Sequence, residues 1–223
     1  MPRKTPPGAS APCADAPPAA APKKRGRPAQ NENESLRSEL VRKSAYLFRT
    51  QGYDNTTVRD IAAAAGVHSG SWFYHFKSKQ DILAAIMEQG MRQSLAAIEA
   101  IDLPALAPRQ ALLRLVEVHL QTMLAPNHDF IPVLVYEWRS LDQPARSRII
   151  ELKDRYEAIW GEVIAALHRS GEWSMPTRFD RLLMFGALNW TAQWYKPGTG
   201  TSLEELAEQT VTFLLRTPPR HHP

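Results

Sequence analysis

Little in this sequence suits a secreted, membrane-bound or disulfide-rich protein. Its 223 residues include one cysteine, Cys13, which excludes an intramolecular disulfide framework and a cysteine-based zinc site. No apolar run approaches the roughly 20 residues needed to cross a bilayer. Residues 1–22 lack the continuous apolar segment of a signal peptide. We therefore expect a cytoplasmic protein with no membrane partner.

Signatures of catalysis are also missing. The sequence has no His-Glu-x-x-His pair, no glycine-rich phosphate loop and no nucleophile elbow. Seven histidines are present, but His221 and His222 fall in a C-terminal tail that we assign to residues 218–223. We expect no enzymatic activity, no catalytic residue, no metal site and no cofactor.

The chain is unevenly charged along its length. Residues 1–79 contain 13 Lys and Arg against 6 Asp and Glu, a net charge of +7. Residues 80–223 contain 14 against 17, a net charge of −3. A basic N-terminal third suits binding to nucleic acid, although a basic tail without a partner would show the same asymmetry. Charge alone therefore does not distinguish nucleic-acid binding from a basic tail without a partner, and sequence motifs are needed.

Apolar residues follow a helical period from Leu36 onward, and no convincing strand pattern appears. We predict an all-α fold of three N-terminal helices followed by six more. The predicted helices run from Leu36 to near Gly52 and over 58–65, 69–76, 78–101, 109–124, 129–141, 145–170, 178–195 and 203–216. Four capping boxes mark helix starts, at Thr57 with Asp60, Ser78 with Asp81, Thr177 with Asp180, and Ser202 with Glu205.

This helix pattern divides the chain into four parts. Residues 1–30 are rich in Pro and Ala and predict a disordered basic arm. Residues 31–79 are assigned to DNA binding. Residues 80–217 are assigned to effector binding and dimerisation, and the tail completes the chain.

Residues 58–67, VRDIAAAAGV, have the composition of a helix-turn-helix. The alanines allow two helices to approach closely, and Gly66 can adopt a positive φ in the turn. Residues 69–76 predict a short recognition helix. We expect Trp72, Phe73 and Phe76 to pack in the core, and Tyr74, His75 and Lys79 to present donors to phosphates.

The stretch 52–83, GYDNTTVRDIAAAAGVHSGSWFYHFKSKQDIL, resembles the DNA-binding signature of the TetR family of bacterial transcriptional regulators. The resemblance implies a homodimeric repressor that binds double-stranded operator DNA and is released by a small effector. It implies base contacts from His68, Ser69 and Ser71, and phosphate contacts from Thr57, Tyr74, His75 and Lys79. Two residues depart from the family pattern. Trp72 replaces a leucine, and Phe73 replaces a tyrosine whose hydroxyl is often used on DNA.

The N-terminal arm carries a second DNA-binding signal. Residues 23–28, KKRGRP, contain the Arg-Gly-Arg-Pro core of an AT-hook. We expect Arg25 and Arg27 to enter the minor groove of A·T-rich DNA, where the negative potential is enhanced. A generic basic linker is the alternative.

Two stretches in the larger part resemble a TetR branch that controls lipid or steroid breakdown and responds to acyl-CoA thioesters. They are 135–139, VYEWR, and 186–197, GALNWTAQWYKP. The resemblance implies an acyl-CoA effector, with Trp138, Arg139, Trp190 and Trp194 as candidate lining residues. A sensor of aromatic or cationic drugs, with Glu137 as counter-charge, is the alternative.

Family resemblance also places the dimer interface on the last two helices. Their candidate interface residues are Leu182, Leu183, Phe185, Leu206, Val211, Phe213, Leu214 and Leu215. An alternative of another class is an architectural AT-hook protein. That function would not need so large an effector-binding part.

Overall fold

The computed structural model describes residues 28–125, 128–174, 176–198 and 200–215. All regular structure within them is helical, which confirms the all-α prediction. The α-helices are α1 (Pro28–Gln51), α2 (Val58–Ala64), α3 (Ser69–Trp72), α4 (Lys79–Glu99), α5 (Pro108–Leu124), α6 (Phe130–Tyr136), α7 (Gln143–Arg169), α8 (Arg178–Trp194) and α9 (Leu203–Leu214). Short 3₁₀ turns follow α4 at Leu103–Ala105 and α6 at Trp138–Ser140. Arg25, Arg27 and the tail at 218–223 lie outside the described residues.

The described part of α1 extends further towards the N-terminus than the apolar period indicates. It is described from Pro28, whereas the apolar period starts at Leu36. Residues 28–35, PAQNENES, form the first turns without an apolar stripe, which is why periodicity did not reveal them.

The helix-turn-helix unit, α1 to α3, encloses a small core with the start of α4. Phe48, Ile61 and Trp72 are fully or almost fully buried there, and Phe76 packs on Trp72 with ring centroids 5.4 Å apart. Packing of Trp72 and Phe76 is therefore confirmed, whereas the prediction for Phe73 is wrong, since 63% of that residue is exposed. The reason is that α3 ends at Trp72 and the chain turns over 73–75, so the helical phase is not kept.

Side-chain caps define the starts of helices in both parts of the protein. The predicted box at Thr57 and Asp60 is present, as is the one at Thr177 and Asp180. Ser78 and Ser202 cap their helices without the reciprocal bond. Gly66 adopts φ +68° in the turn between α2 and α3, a conformation that other residues rarely take.

The C-terminal bundle, α4 to α9, is continuous with this unit through α4, which packs on α1, α6 and α7. A Cβ atom at Gly90 of α4 would lie 2.9 Å from the Cβ of Phe130, the first residue of α6. Helices α4 and α6 therefore approach closely at this point. Helix α6 ends before the predicted residue 141 because Glu137, at φ −101° and ψ 12°, leaves helical geometry. Within the described ranges, no helix has the length and apolarity to span a membrane.

Candidate functional site

The recognition helix presents its N-terminal end to solvent. His68 and Ser69 are exposed, Ser71 is partly exposed, and Tyr74 just beyond the helix is 89% exposed. The N-terminal residues of a recognition helix are the ones that reach base edges in helix-turn-helix proteins. The geometry therefore suits the base contacts predicted for His68, Ser69 and Ser71, and leaves the Tyr74 hydroxyl available.

Thr57, predicted to bind phosphate, has its hydroxyl committed to the helix cap. Its Oγ1 donates to Asp60 Oδ2 at 2.7 Å and accepts from the Asp60 backbone N–H at 3.2 Å. Hydrogen bonds from Thr57 lower the pKa of Asp60, so this carboxylate remains an acceptor at neutral pH. Thr57 therefore sets the start of α2 and has no free hydroxyl donor.

Lys79 also has a structural role that sequence reasoning missed. Its ammonium donates to the backbone carbonyls of Tyr53, at 2.7 Å, and Thr56, at 3.0 Å. It lies 4.1 Å from the centroid of the Tyr53 ring, within range of a cation–π contact. The side chain clamps the loop before α2 onto the first turn of α4, and one N–H donor is left over.

His75 faces a different environment from the exposed end of α3. It lines a polar groove of about 380 Å³ between the helix-turn-helix unit and the start of α7, together with Arg37, Asp142 and Arg148. The structure thus brings His68, Ser69, Ser71 and Tyr74 to one exposed end and places His75 at the junction with the bundle.

A cavity of about 410 Å³ lies between α4, α5, α6, α7 and α8 of the bundle. Its walls are mainly apolar, with a few polar groups. The lining residues are Met91, Ser94, His119, Thr122, Ile131, Leu134, Val135, Trp138, Lys153, Tyr156, Glu157, Leu182, Phe185, Gly186 and Asn189. Volume and lining are those of a small-molecule site, for which about 300–1,000 Å³ is usual.

Of the four effector-binding candidates, only Trp138 lines this cavity. Arg139 is exposed, as are Trp190, at 64%, and Trp194. The correction follows from helical phase along α8. Residues 182, 185, 186 and 189 form the stripe that faces the cavity, whereas Trp190 and Trp194 share an outward stripe with Leu183.

A buried polar network forms one wall and was not predicted. His119 Nδ1 lies 3.0 Å from the Tyr156 hydroxyl, and its Nε2 lies 3.2 Å from Asn189 Oδ1. Burial lowers the pKa of His119 to about 4, so the imidazole is neutral at physiological pH. Because Oδ1 only accepts, Nε2 carries the proton and Nδ1 accepts from the Tyr156 hydroxyl. A lone histidine in the apolar stretch 111–124 was the available sequence signal.

Two basic residues meet one carboxylate where the cavity reaches solvent. Glu157 is buried and forms ion pairs with Lys153 at 2.6 Å and with Arg181 at 2.7 Å. Both basic side chains remain about half exposed. Lys153 and Glu157 line the cavity, and Arg181 lies beside them without lining it. Because the three groups together carry one net positive charge, they favour an anionic ligand group over a cationic one.

The segment after α6 connects the cavity wall to the helix-turn-helix unit. Next to Trp138, the carboxylate of Glu137 accepts the Tyr53 backbone N–H at 2.9 Å and the Ser140 hydroxyl at 3.2 Å. At the other end of α6, Arg49 of α1 pairs with the buried Asp129 at 2.5 Å. Glu137 is therefore a link between the two parts and does not line the cavity.

Helices α8 and α9 leave large apolar side chains in solvent. On α8, Leu183, at 72% exposure, shares the outward stripe with Trp190 and Trp194, and Leu182 on the cavity side is also exposed. On α9, Phe213 is exposed as well. Leu206 and Val211, also predicted for the interface, are instead buried within the subunit. So much exposed apolar surface is unusual for a monomer and typical of an interaction site.

A helix-turn-helix joined to a helical bundle with an internal cavity defines a ligand-responsive class of DNA-binding regulator. Two family models match the chain. One, described as bacterial regulatory proteins of the tetR family, covers residues 40–86, and the other, a tetracyclin repressor-like C-terminal domain, covers 105–217. The chain belongs to the TetR family of transcriptional regulators, and it is a DNA-binding regulator rather than an enzyme.

Known relatives agree with this assignment. The HTH-type transcriptional repressor KstR2 of Rhodococcus jostii is 30% identical over 184 residues, covering 80% of this chain and 89% of the relative. The fatty acid metabolism regulator protein of Bacillus subtilis is 27% identical over 180 residues, covering 79% and 92%.

Solved structures share the fold. The TetR-family regulator PfmR of Thermus thermophilus superposes with a TM-score of 0.71 at 27% identity, covering 81% of this chain and 99% of PfmR. A protein described as superantigen PfiT superposes with a TM-score of 0.66 at 38% identity, covering 82% and 98%.

Proposed function

We propose that this regulator is a homodimeric repressor that leaves its operator when an acyl-CoA thioester, from lipid or steroid breakdown, enters the bundle cavity. The observation that carries the proposal is the apolar cavity whose solvent-facing part has a net positive charge. Residues 31–79 would bind DNA and residues 80–217 would bind the effector and dimerise. Action on chromosomal DNA implies the cytoplasm.

The ligand class is supported by the division of the cavity into apolar and charged parts. About 410 Å³ of mainly apolar space accommodates an acyl group, and each buried methylene contributes about 0.8 kcal/mol. The nucleotide part would remain outside, where Lys153 and Arg181 can meet its phosphates. A relative named for fatty acid metabolism supports the same class.

The drug-sensor alternative loses its proposed counter-charge. Glu137 already accepts two hydrogen bonds away from the cavity, and Glu157 already pairs with two cations. A cationic ligand would have to displace one of these partners. An anionic ligand would not.

Operator binding is assigned to the exposed end of α3. His68, Ser69 and Ser71 read bases, and Tyr74 and Lys79 hold phosphates. Arg25 and Arg27 are proposed to follow the minor groove beside this site. Because one short helix reads few base pairs, two subunits are needed, with half-site centres about 34 Å apart. The outward apolar face of α8 and α9 would form the dimer interface.

Release requires that the effector favour a conformation in which the two recognition helices no longer fit both half-sites. Trp138 lines the cavity, and its neighbour Glu137 holds the Tyr53 backbone. Tyr53 is in turn held by Lys79 at the start of α4. A ligand that moves Trp138 therefore alters the support of the loop leading into α2.

The test begins with an operator selected from genomic fragments by the full-length protein and footprinted. The complex is then titrated with acyl-CoA thioesters of increasing chain length and with ring-containing acyl groups. We expect release by thioesters and little release by free CoA or the free acids, since neither half makes both sets of contacts. Release by cationic aromatics alone would overturn the proposal.

A charge-matched pair of variants locates the anionic group. Lys153→Gln should raise the thioester concentration needed for release several-fold without changing operator affinity in its absence. Arg109→Gln removes the same charge from an exposed position at the start of α5 and should change neither quantity. Equal effects of the two variants would show that Lys153 acts only through overall charge.

A further inference from the structure

A second cavity, of about 370 Å³, adjoins the effector cavity where α4, α5 and α6 meet. The two cavities share three lining residues, one from each of these helices, namely Ser94, Thr122 and Ile131. Residues that border both spaces form the partition between them. The second cavity is lined further by Gly90, Gln93, Ala97, His128 and Phe130.

Ile131 is the part of this partition that is free to change conformation. The Thr122 hydroxyl donates to the backbone carbonyl of His119 at 2.9 Å, which holds that side chain against its own helix. The Cδ1 of Ile131 lies 3.3 Å from the position that a Cβ atom at Gly90 would take. Because Gly90 has no side chain, this end of Ile131 has room to turn, and packed side chains do exchange rotamers.

The partition lies where the tail of an acyl group would end. Lys153, which we assign to the anionic part of the effector, is on α7, whereas the partition belongs to α4, α5 and α6. Apolar surface continues across it, from Met91 in the effector cavity to Ala97 and Phe130 in the second cavity. A chain held by its head near Lys153 therefore has an apolar path towards the second cavity.

We propose that the end of a long, linear acyl chain passes Ile131 into the second cavity, so the regulator selects straight-chain thioesters longer than the effector cavity alone can hold. Each methylene that leaves water contributes to binding, so affinity should keep rising with chain length until the second cavity is also filled. The inference deepens the proposed function and rests on it, since it names the class of acyl group that this site binds.

The experiment measures dissociation constants by isothermal titration calorimetry with the full-length protein. The probes are saturated thioesters from butyryl-CoA to octadecanoyl-CoA, each kept below its micelle concentration. Wild-type affinity should rise by up to about fourfold per added methylene and should continue to rise into the long chains. A rise that ends with the short chains would overturn the inference and leave the acyl-CoA proposal intact.

Ala97→Phe places a large side chain where it can fill the second cavity, because Ala97 lines that cavity and not the effector cavity. The longest chains should bind this variant at least about tenfold more weakly than the wild type, since two lost methylene contacts already correspond to that factor. The shortest chains should bind both proteins equally. An equal loss at every length, or no loss at all, would contradict the assignment.

Two further variants complete the test, with thermal unfolding as the check that each protein folds. Ala96→Phe makes the same change at the preceding, exposed position of α4 and should leave the whole series unchanged. Ile131→Ala removes most of the mobile side chain from the partition and should raise the ratio of long-chain to short-chain affinity several-fold. An unchanged or lower ratio would overturn the passage at Ile131.

A second set of probes makes the result independent of the thioester. If no thioester of any length binds, the proposed effector class fails, and straight-chain fatty acids and alcohols of matched length are compared in the same way. A loss in Ala97→Phe that is confined to long chains would then support the second cavity by itself. Equal binding to both proteins, or no binding of any chain, would overturn it.

Discussion

The helix-turn-helix unit and the C-terminal bundle share α4 but differ in how completely they are packed. In the unit, polar contacts such as Thr57 with Asp60 close over short sequence distances, and Trp72 fills the core. In the bundle a cavity stays open and α8 exposes apolar side chains. The first part is nearly complete in itself, whereas the second has surfaces suited to a ligand and a second subunit.

The largest expected effect tests how completely the small unit is packed. Trp72→Ala should lower the free energy of unfolding by about 3–5 kcal/mol, since it removes a fully buried indole from a small core. Denaturant unfolding followed by circular dichroism measures this. Phe73→Ala, one residue further and mostly exposed, should cost less than about 1 kcal/mol. Similar losses for the two variants would refute the core assignment.

The next prediction concerns the buried histidine of the bundle. His119 has a pKa of about 4 in the folded protein, below the usual value of 6.5 expected when unfolded. The unfolded state therefore binds more protons between these values, and stability falls as pH decreases through this window. The slope attributable to His119 should reach about 1.4 kcal/mol per pH unit.

Subtracting the pH profile of His119→Gln from that of the wild type isolates this contribution, since the other titrating groups are common to both proteins. The difference should change most steeply between pH 6.5 and 4 and should become flat about one unit above and below this window. Parallel profiles throughout would mean that His119 is not buried in neutral form.

A smaller effect is expected at the outward face of α8. Leu183→Glu should weaken dimerisation by about 2 kcal/mol or more, because it places a charge in a desolvated interface. Sedimentation equilibrium gives the dissociation constant. Ile150→Glu, at an exposed position on α7, is the matched control and should leave it unchanged. An unaltered dimer in Leu183→Glu would move the interface elsewhere.

The contrast between the two regions explains what the sequence could reveal. Thr57, Asp60 and Gly66 act within a few residues of one another, so their pattern predicted the turn and cap. The buried network, by contrast, joins His119, Tyr156 and Asn189, which lie on three different helices. Their hydrogen bonds form only when these helices pack together, so no local sequence pattern predicts them. Trp190 and Trp194 were chosen for composition, and helical phase placed them outside the cavity.

The DNA-facing residues show an intermediate case. Exposure of His68 and Tyr74 agrees with the motif, because short-range turn geometry determines it. The clamp by Lys79 was not foreseeable from the motif. Its acceptors are backbone carbonyls of the 53–56 loop, and backbone positions leave no signature in side-chain identity.

The smallest expected effect separates the two roles of Lys79. Lys79→Ala should weaken binding to operator and unrelated DNA alike and reduce the salt slope by about 1, which is the mark of one lost phosphate contact. It should also lower the free energy of unfolding by about 1–2 kcal/mol, since two hydrogen bonds and a cation–π contact disappear.

Lys77→Ala is the control, because it removes the same charge from an exposed residue nearby and should leave the free energy of unfolding unchanged. Fluorescence anisotropy at several salt concentrations, with parallel thermal unfolding, measures both quantities. A loss of stability in Lys79→Ala with an unchanged salt slope would show that Lys79 only holds the 53–56 loop and does not bind phosphate. Another exposed group near α3 would then make the phosphate contact.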